Sequence, residues 1–95
     1  MILIADSGST KTDWAIIGQG STVVRVQTQG MNPYFQTPQE LAQEINNVLK
    51  PVLPNENVEY VFFYGAGCTP EKAPELSAVL TRVLAVKKTV EVHSD

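Results

Sequence analysis

The sequence predicts an α/β fold built on one mixed sheet of five strands, and three observations support this class. Apolar runs at 2–5, 14–17 and 21–28 are separated by glycine-containing turns, a pattern that favours an antiparallel meander. Two amphipathic helical segments follow, with an apolar run at 58–64 between them and an alternating run at 89–93 after them. The near-continuous apolar run at 58–64 is typical of an interior strand parallel to the first, and the element pattern leads us to expect that the first, fourth and fifth strands all run parallel. The predicted element order is therefore βββαβαβ.

Composition and charge restrict the functional classes. The chain has 95 residues, which suit one domain or less, and an ordinary apolar content that argues against disorder. Ten acidic residues against seven scattered basic ones give a net charge of −3, which argues against a nucleic-acid-binding surface. The single cysteine excludes an internal disulfide and fits a reducing compartment. The N-terminal apolar run is too short to span a membrane, so we expect a cytoplasmic protein with no membrane partner.

The first strand ends on an acidic residue. Ile2 to Ala5 form a short apolar run typical of a strand that is buried on both faces, and Asp6 follows directly. A carboxylate at a strand end can hold Mg²⁺, either directly or through bound waters. The alternative is that Asp6 accepts hydrogen bonds from the amides of an ordinary polar turn. The residues alone leave both interpretations open.

The segment after this acid has the chemistry of a phosphate-binding turn. Gly8 allows the backbone to approach a ligand closely, and Lys11 supplies positive charge. Three further residues can donate hydrogen bonds from their amides and hydroxyls, namely Ser9, Thr10 and Thr12. The glycine spacing of a P-loop is absent, and the apolar run that follows indicates a strand instead of a helix. We therefore predict a hairpin turn that cradles phosphates.

The stretch Asp-Ser-Gly-Ser-Thr-Lys-Thr-Asp-Trp at 6–14 resembles the first phosphate motif of the actin/hexokinase/Hsp70 superfamily. Within that superfamily it is most similar to the N-acetylglucosamine kinase-like and BadF/BadG-type ATPases. The resemblance implies a ribonuclease-H-like fold, an Asp that serves the Mg²⁺ site, and a turn that wraps the phosphates of ATP. The matching positions are Asp6, Gly8, Thr10, Lys11 and Thr12, whereas Ser7 replaces a glycine that many relatives carry.

A loop at 30–36 combines an amide side chain with two aromatic rings. Pro33 restricts Asn32 to extended geometry, and Tyr34 and Phe35 follow. Sugar sites use this combination, because rings stack on the sugar and an amide pairs with its hydroxyls. The alternative is that the aromatics cap the core while Asn32 makes an Asx turn. In the sugar-kinase branch of the resembling family, a loop after the third strand presents an Asn to the substrate, and Asn32 is the matching position.

The first helix has the clearest boundaries in the sequence. Thr37 can cap it, Pro38 suits its first position, and Glu40 completes a capping box. One apolar stripe runs along it, formed by Leu41, Ile45, Val48 and Leu49. We expect the helix to reach Lys50 and to end at Pro51, and to cover the sheet without a catalytic role.

The fourth strand, at 58–64, ends in small residues. Gly65, Ala66 and Gly67 would let the backbone approach a substrate in the crevice at the carboxyl ends of the parallel strands. The alternative is that the glycines serve tight strand-to-helix packing, and both can hold. Cys68 has no neighbouring cysteine or histidine in the sequence, so we interpret it as a small packed residue.

The second helix begins near Pro74, carries an apolar stripe from Leu76 to Leu84, and is expected to close at 87–88. A fifth strand at 89–93 then leads to Asp95. The run Val-x-Val-x-Ser-Asp resembles the strand that delivers the catalytic aspartate in the sugar-kinase branch. The resemblance makes Asp95 the general base that takes the proton of the attacking sugar hydroxyl. The alternative is a frayed terminal residue.

The resemblance implies that residues 1–95 form the N-terminal lobe of an ATP-dependent kinase that phosphorylates an amino sugar such as N-acetylglucosamine. The expected ligands are ATP, Mg²⁺ and a small sugar, with no nucleic acid. We expect the second lobe to lie outside this chain, the isolated lobe to be inactive, and its exposed apolar surface to favour self-association, with a homodimer as one form. The alternatives are a BadF/BadG-type ATPase that activates a partner enzyme and a non-catalytic nucleotide- or sugar-binding module. A ribonuclease-H-type nuclease is disfavoured, because the fourth strand ends in glycine and not in an acid.

Overall fold

The computed structural model describes residues 1–18, 20, 22–55 and 57–94. Five strands form one sheet in the order β3-β2-β1-β4-β5. The strands are β1 (Ile2–Ser7), β2 (Lys11–Ile17), β3 (Val23–Gln29), β4 (Tyr60–Gly65) and β5 (Thr89–His93). The pairs β1–β2 and β2–β3 are antiparallel, whereas β1–β4 and β4–β5 are parallel. The predicted fold class, strand directions and element order are confirmed.

Strands β1 and β2 extend further toward their connecting turn than the apolar runs predicted. The ladder continues through the polar residues, pairing Asp6 with Asp13 and Ser7 with Thr12. Ser7 and Thr12 are buried polar residues, and their hydroxyls hydrogen-bond to each other at 2.7 Å. Two hydroxyls that hydrogen-bond to each other can be buried in the sheet with little loss of free energy. The hydropathy of the sequence alone does not predict this burial. Asp6 therefore lies within β1 and not after it.

The first helix, α1 (Pro38–Glu44), begins with the predicted capping box. Thr37 Oγ1 accepts a hydrogen bond from the Glu40 amide at 3.1 Å, and Glu40 Oε1 accepts one from the Thr37 amide at 2.9 Å. The prediction of one α-helix to Lys50 is wrong, since a wider π-helical turn follows at Ile45–Leu49 and a 3₁₀ turn at Lys50–Val52. Pro51 has no amide proton, so the α-helical hydrogen bonds cannot continue through it.

The second helix, α2 (Ala73–Val83), starts one residue before the predicted Pro74 and ends before the predicted lysines. Its end is closed by Ala85, which adopts a left-handed φ of 49°, and by a hydrogen bond of 3.1 Å from the Val86 amide to the Thr81 carbonyl. Lys88 instead pairs with Glu59 at 3.4 Å beside the sheet. Neither described helix is long and apolar enough to cross a membrane.

Alternation along the strands gives the sheet two different faces. Side chains of the covered face are packed with the two helices into one core, whose members include Leu3, Ala5, Trp14, Val61, Phe63, Leu41, Ile45, Leu49, Leu76 and Leu80. The alternate positions form the open face, which includes Ile4, Asp6, Asp13, Arg25 and Tyr64, all of them exposed. The carboxyl ends of β1 and β4 lie side by side, since Ser7 pairs with Gly65. This edge of the sheet carries the candidate site.

Candidate active site at the carboxyl ends of the strands

The turn between β1 and β2 is short and exposed. The Gly8 amide donates to the Lys11 carbonyl at 2.9 Å, which closes the turn, and Ser9, Thr10 and Lys11 are all exposed. The hydroxyls of Ser9 and Thr10 make no hydrogen bond to another described residue. These donors are therefore available to a ligand beside a positive charge, which fits the chemistry of phosphate binding.

Thr12 differs from the other predicted phosphate-binding residues. Its side chain is fully buried, and its hydroxyl contacts Ser7 Oγ and donates to the Gln29 carbonyl at 3.0 Å. A hydroxyl engaged in this way holds the base of the turn instead of facing the ligand.

The open face carries two carboxylates next to this turn. Asp6 and Asp13 are directly paired on neighbouring strands, and both are exposed. Like charges in this arrangement repel, and a divalent cation would relieve the repulsion. Asp13 Oδ1 also accepts a hydrogen bond of 2.9 Å from Gln27 Nε2. No cluster of three or more metal-ligating side chains occurs among the described residues, so Mg²⁺ here would depend on one or two carboxylates together with water and phosphate oxygens.

Asp13 was not singled out from the sequence, although its position could have been deduced. If the turn places Ser7 opposite Thr12, antiparallel pairing places Asp6 opposite Asp13. The missing information was the register of the hairpin.

Asn32 makes the Asx turn that was considered as an alternative. Its Oδ1 accepts a hydrogen bond from the Tyr34 amide at 2.9 Å, and its carbonyl accepts bonds from the Phe35 and Gln36 amides at 3.1 and 3.0 Å. The backbone amide of Asn32 donates to Gln36 Oε1 at 2.6 Å. The side-chain Nδ2 makes no hydrogen bond to a described residue, so it is free to donate to a sugar oxygen.

The predicted substrate loop and the predicted substrate glycines meet in space. Gly67 adopts a φ of 78°, and a Cβ added to it would overlap the Asn32 side chain. A residue larger than glycine would therefore displace Asn32 as well as strain the backbone. The structure brings Asn32 and Gly67 into one place at the end of β4.

The two aromatic residues of this loop do not cap the core. Phe35 is 85% exposed and Tyr34 is 49% exposed. The Tyr34 hydroxyl lies 3.2 Å from Thr69 Oγ1, and the Lys72 ammonium lies 5.5 Å from the centre of the Tyr34 ring. Tyr34 thus joins the loop to the segment after β4, and Phe35 remains available to stack on a ligand.

Gly65 serves packing, but within the sheet and not between strand and helix as the alternative held. A Cβ added there would lie 2.8 Å from the Phe63 ring and 3.1 Å from Ser7 Cβ. Ala66 is exposed beside it, whereas Cys68 is buried, as expected for a small packed residue.

The proposed base, Asp95, lies outside the described residues. The strand that leads to it, β5, runs parallel to β4 and pairs His93 with Tyr64. The two rings stack with their centres 5.7 Å apart, and His93 Nε2 lies 3.1 Å from Glu91 Oε1. His93 is therefore the last residue of β5, at the same edge of the sheet as Tyr64.

A mixed sheet in the order β3-β2-β1-β4-β5 with two helices defines an α/β domain of the ribonuclease-H-like class. No protein-family model matches the chain, and no curated protein matches it. Among solved structures, the chain is similar to a protein from Porphyromonas gingivalis that carries the provisional assignment of N-acetylglucosamine kinase. The two are 43% identical with a TM-score of 0.88, over 100% of this chain and 34% of the other. The resemblance indicated by the phosphate motif is confirmed, and the chain spans about a third of that protein's length.

Proposed function

We propose that this chain forms the N-terminal lobe of an ATP-dependent kinase that transfers the γ-phosphate to an amino sugar such as N-acetylglucosamine. The observation that carries the proposal is the likeness, at 43% identity over the whole of this chain and 34% of the other, to the provisionally assigned N-acetylglucosamine kinase. It is supported by an exposed donor-rich turn, a carboxylate pair beside it, and an amide-bearing loop at the same edge of the sheet.

In this proposal the nucleotide phosphates bind at the β1–β2 turn. Gly8 gives room for close approach, Ser9 and Thr10 donate hydrogen bonds, and Lys11 compensates the negative charge. Thr12 supports the turn from the buried side. Asp6 would hold Mg²⁺, with Asp13 next to it, and the bound cation would neutralise charge on the phosphates.

The amino sugar would bind beside Asn32. The Nδ2 of Asn32 would donate to a sugar oxygen while its Oδ1 keeps the loop in shape through the Tyr34 amide. Gly65, Ala66 and Gly67 would form the backbone wall of the site, and Gly67 leaves the space that Asn32 occupies. Asp95 would accept the proton from the sugar hydroxyl as that oxygen attacks the γ-phosphate.

One lobe supplies only part of such a site. Phosphoryl transfer depends on positioning and electrostatic stabilisation, so we propose that a second lobe completes the nucleotide site and that residues 1–95 alone have no activity. The ATPase-activator alternative is less favoured, because the one cysteine, Cys68, is buried beside Gly65 instead of being exposed for cluster ligation.

The experiment is an assay of ATP consumption with sugar acceptors, using both the 95-residue chain and the intact two-lobed protein. We expect the intact protein to form a sugar phosphate from N-acetylglucosamine, with glucose, which lacks the N-acetyl group, as the matched control acceptor. ATP hydrolysis that is independent of every sugar would favour the ATPase alternative. Robust turnover by the 95-residue chain would contradict the division into lobes.

A further inference from the structure

A chain of buried hydrogen bonds joins the base of the β1–β2 turn to the loop that carries Asn32. The Met31 amide donates to Ser7 Oγ at 3.0 Å, the Ser7 and Thr12 hydroxyls are 2.7 Å apart, and Thr12 donates to the Gln29 carbonyl at 3.0 Å. Either hydroxyl of the Ser7–Thr12 pair can be the donor, because the Met31 carbonyl lies 3.4 Å from Ser7 Oγ as a second acceptor. The bonds therefore form a continuous path between Met31 and Gln29 through Ser7 and Thr12.

The two ends of this chain of bonds flank Gly30, which lies against the phosphate turn. The Gly30 amide donates to the Thr10 carbonyl at 3.0 Å. A Cβ added to Gly30 would lie 2.7 Å from the Gly8 carbonyl oxygen and 2.8 Å from that of Ser9. The loop therefore starts in direct backbone contact with the turn, and neither can shift without disturbing the other.

Ser7 lies at the centre of this arrangement. It is 1% exposed, and it sits between the turn, the β4 end at Gly65 and the start of the loop at Met31. Buried hydrogen bonds are costly to break without replacement, because water cannot reach the stranded groups. A ligand that orders the turn should therefore also order the loop.

We propose that Ser7 is a positioning residue that couples the phosphate turn to the Asn32 loop, so that nucleotide binding pre-orders the sugar site. The proposal rests on the proposed function, since it names the regulation of that same site. Ser7 contacts neither ligand and acts through Thr12 and Met31. Ordering one part of a site by the first ligand reduces the entropy that the second ligand must lose, which gives positive coupling.

The test is amide hydrogen exchange of the intact two-lobed protein, with and without a non-hydrolysable MgATP analogue. The probes are the amides of Tyr34, Phe35 and Gln36, all of which are hydrogen-bonded to Asn32. In the wild type we expect the analogue to slow their exchange by at least about fivefold. In Ser7→Ala we expect this nucleotide-dependent slowing to fall below about twofold, while protection of the turn amides at 8–11 persists.

Two matched variants separate coupling from a general loss of stability. Thr28→Val removes another buried hydroxyl, which accepts from Trp14 Nε1 at 3.0 Å and donates to the Gln29 carbonyl at 3.2 Å. Thr28 shares that acceptor with Thr12 but makes no hydrogen bond to Ser7 or Met31, so the path between the turn and the loop stays intact. Thr12→Ser keeps the hydroxyl, whereas Thr12→Val removes it. We expect Thr28→Val and Thr12→Ser to retain the nucleotide-dependent slowing and Thr12→Val to lose it.

The outcomes distinguish this proposal from the proposed function. If the analogue protects the turn but not the loop in the wild type, the coupling is overturned and the phosphate site stands. An equal loss of the nucleotide-dependent slowing in Ser7→Ala and Thr28→Val would also overturn the coupling. Such a result is expected if both hydroxyls only stabilise the fold. Absence of protection at the turn itself would contradict the phosphate site, and the coupling with it.

Discussion

The two faces of the sheet are built from the same strands but have opposite properties. Leu3 and Phe63 on the covered face are completely buried, whereas their strand neighbours Ile4 and Tyr64 on the open face are 39% and 41% exposed. The covered face packs both helices into one core. The open face carries the paired carboxylates Asp6 and Asp13.

This difference separates stability from function along each strand. A substitution on the covered face should change the free energy of unfolding, because it leaves a cavity in a packed core. A substitution on the open face should mainly change ligand binding, because water already reaches the side chain. The experiments below test whether that separation holds, starting with the largest expected effect.

Phe63→Ala should cause the largest loss of stability. The ring packs edge-on against Trp14 with centres 5.8 Å apart, and its removal should lower the free energy of unfolding by about 3–5 kcal/mol. Tyr64→Ala, one position along on the open face, is the matched control and should cost less than about 1 kcal/mol. Urea denaturation of both variants measures the difference. Equal losses would contradict the separation of the two faces.

Thr37→Ala should have an intermediate effect that is confined to stability. It removes the hydroxyl that caps α1 through the Glu40 amide, and such losses cost about 1 kcal/mol. Thr37→Ser preserves the cap and should be near neutral. Thermal or urea unfolding gives the stability, and nucleotide affinity should be unchanged in both. A change in nucleotide affinity would show that α1 influences the site.

Asn32→Ala should weaken sugar binding by about 0.5–1.5 kcal/mol and leave nucleotide affinity unchanged. Because Asn32 Oδ1 also holds the Tyr34 amide, Asn32→Asp is the informative partner variant. This variant keeps the acceptor but lacks the Nδ2 donor. We therefore expect the loop conformation to be preserved while sugar affinity is lost. Calorimetric titration of both ligands measures this. Normal sugar affinity in Asn32→Asp would assign the residue to loop structure alone.

Glu59→Gln should have the smallest effect on the free energy of unfolding, and that effect should depend on pH. Hydrogen bonding and attraction from Lys88, with the N-terminal ammonium, lower the pKa of Glu59 from its ordinary 4.5. A carboxyl with a lowered folded-state pKa stabilises the protein above its unfolded-state pKa, and this contribution is lost as pH falls through the folded-state value. The ion pairs are partly exposed, at 3.4 and 3.5 Å, so the effect should be small.

The check on Glu59 compares urea midpoints of the wild type and Glu59→Gln across this range. The difference between them should be present near neutral pH and disappear as the pH drops below the folded-state pKa. A difference that grows on acidification would have the wrong sign and would exclude the proposed ion pairs as its source.

Local patterns in the sequence were sufficient to predict the order and direction of the strands and the start of α1. The Thr37 capping box depends only on neighbouring residues, so it can be identified without the fold. Local patterns also made the turn residues and Asn32 candidates for ligand binding, and these assignments stay predictions. Asn32 and Gly67, far apart in the sequence, were predicted for one site, and the structure places them in contact.

The features that were missed depend on register and on tertiary packing. The pairing of Asp6 with Asp13 and the burial of Ser7 with Thr12 follow from hairpin register, and a shift of one residue would move each side chain to the other face. The helical periodicity predicted the burial of Ile45 and Leu49, but it predicted neither the π-helical turn at Ile45–Leu49 nor the exposure of Val48. Polar residues in a buried strand resemble a turn until their partners are known.

The central claim is that the edge of the sheet near Asp6 binds the phosphates of ATP for transfer to an amino sugar. The most direct measurement is the rate of phosphoryl transfer from ATP to N-acetylglucosamine by the proposed two-lobed protein and by its Asp6→Asn variant. Because Asp6 is exposed, we expect the free energy of unfolding of the variant to lie within about 0.5 kcal/mol of the wild-type value. We also expect its kcat to fall at least about 100-fold, since the carboxylate that would hold Mg²⁺ is lost. A folded Asp6→Asn protein with full activity would contradict the claim.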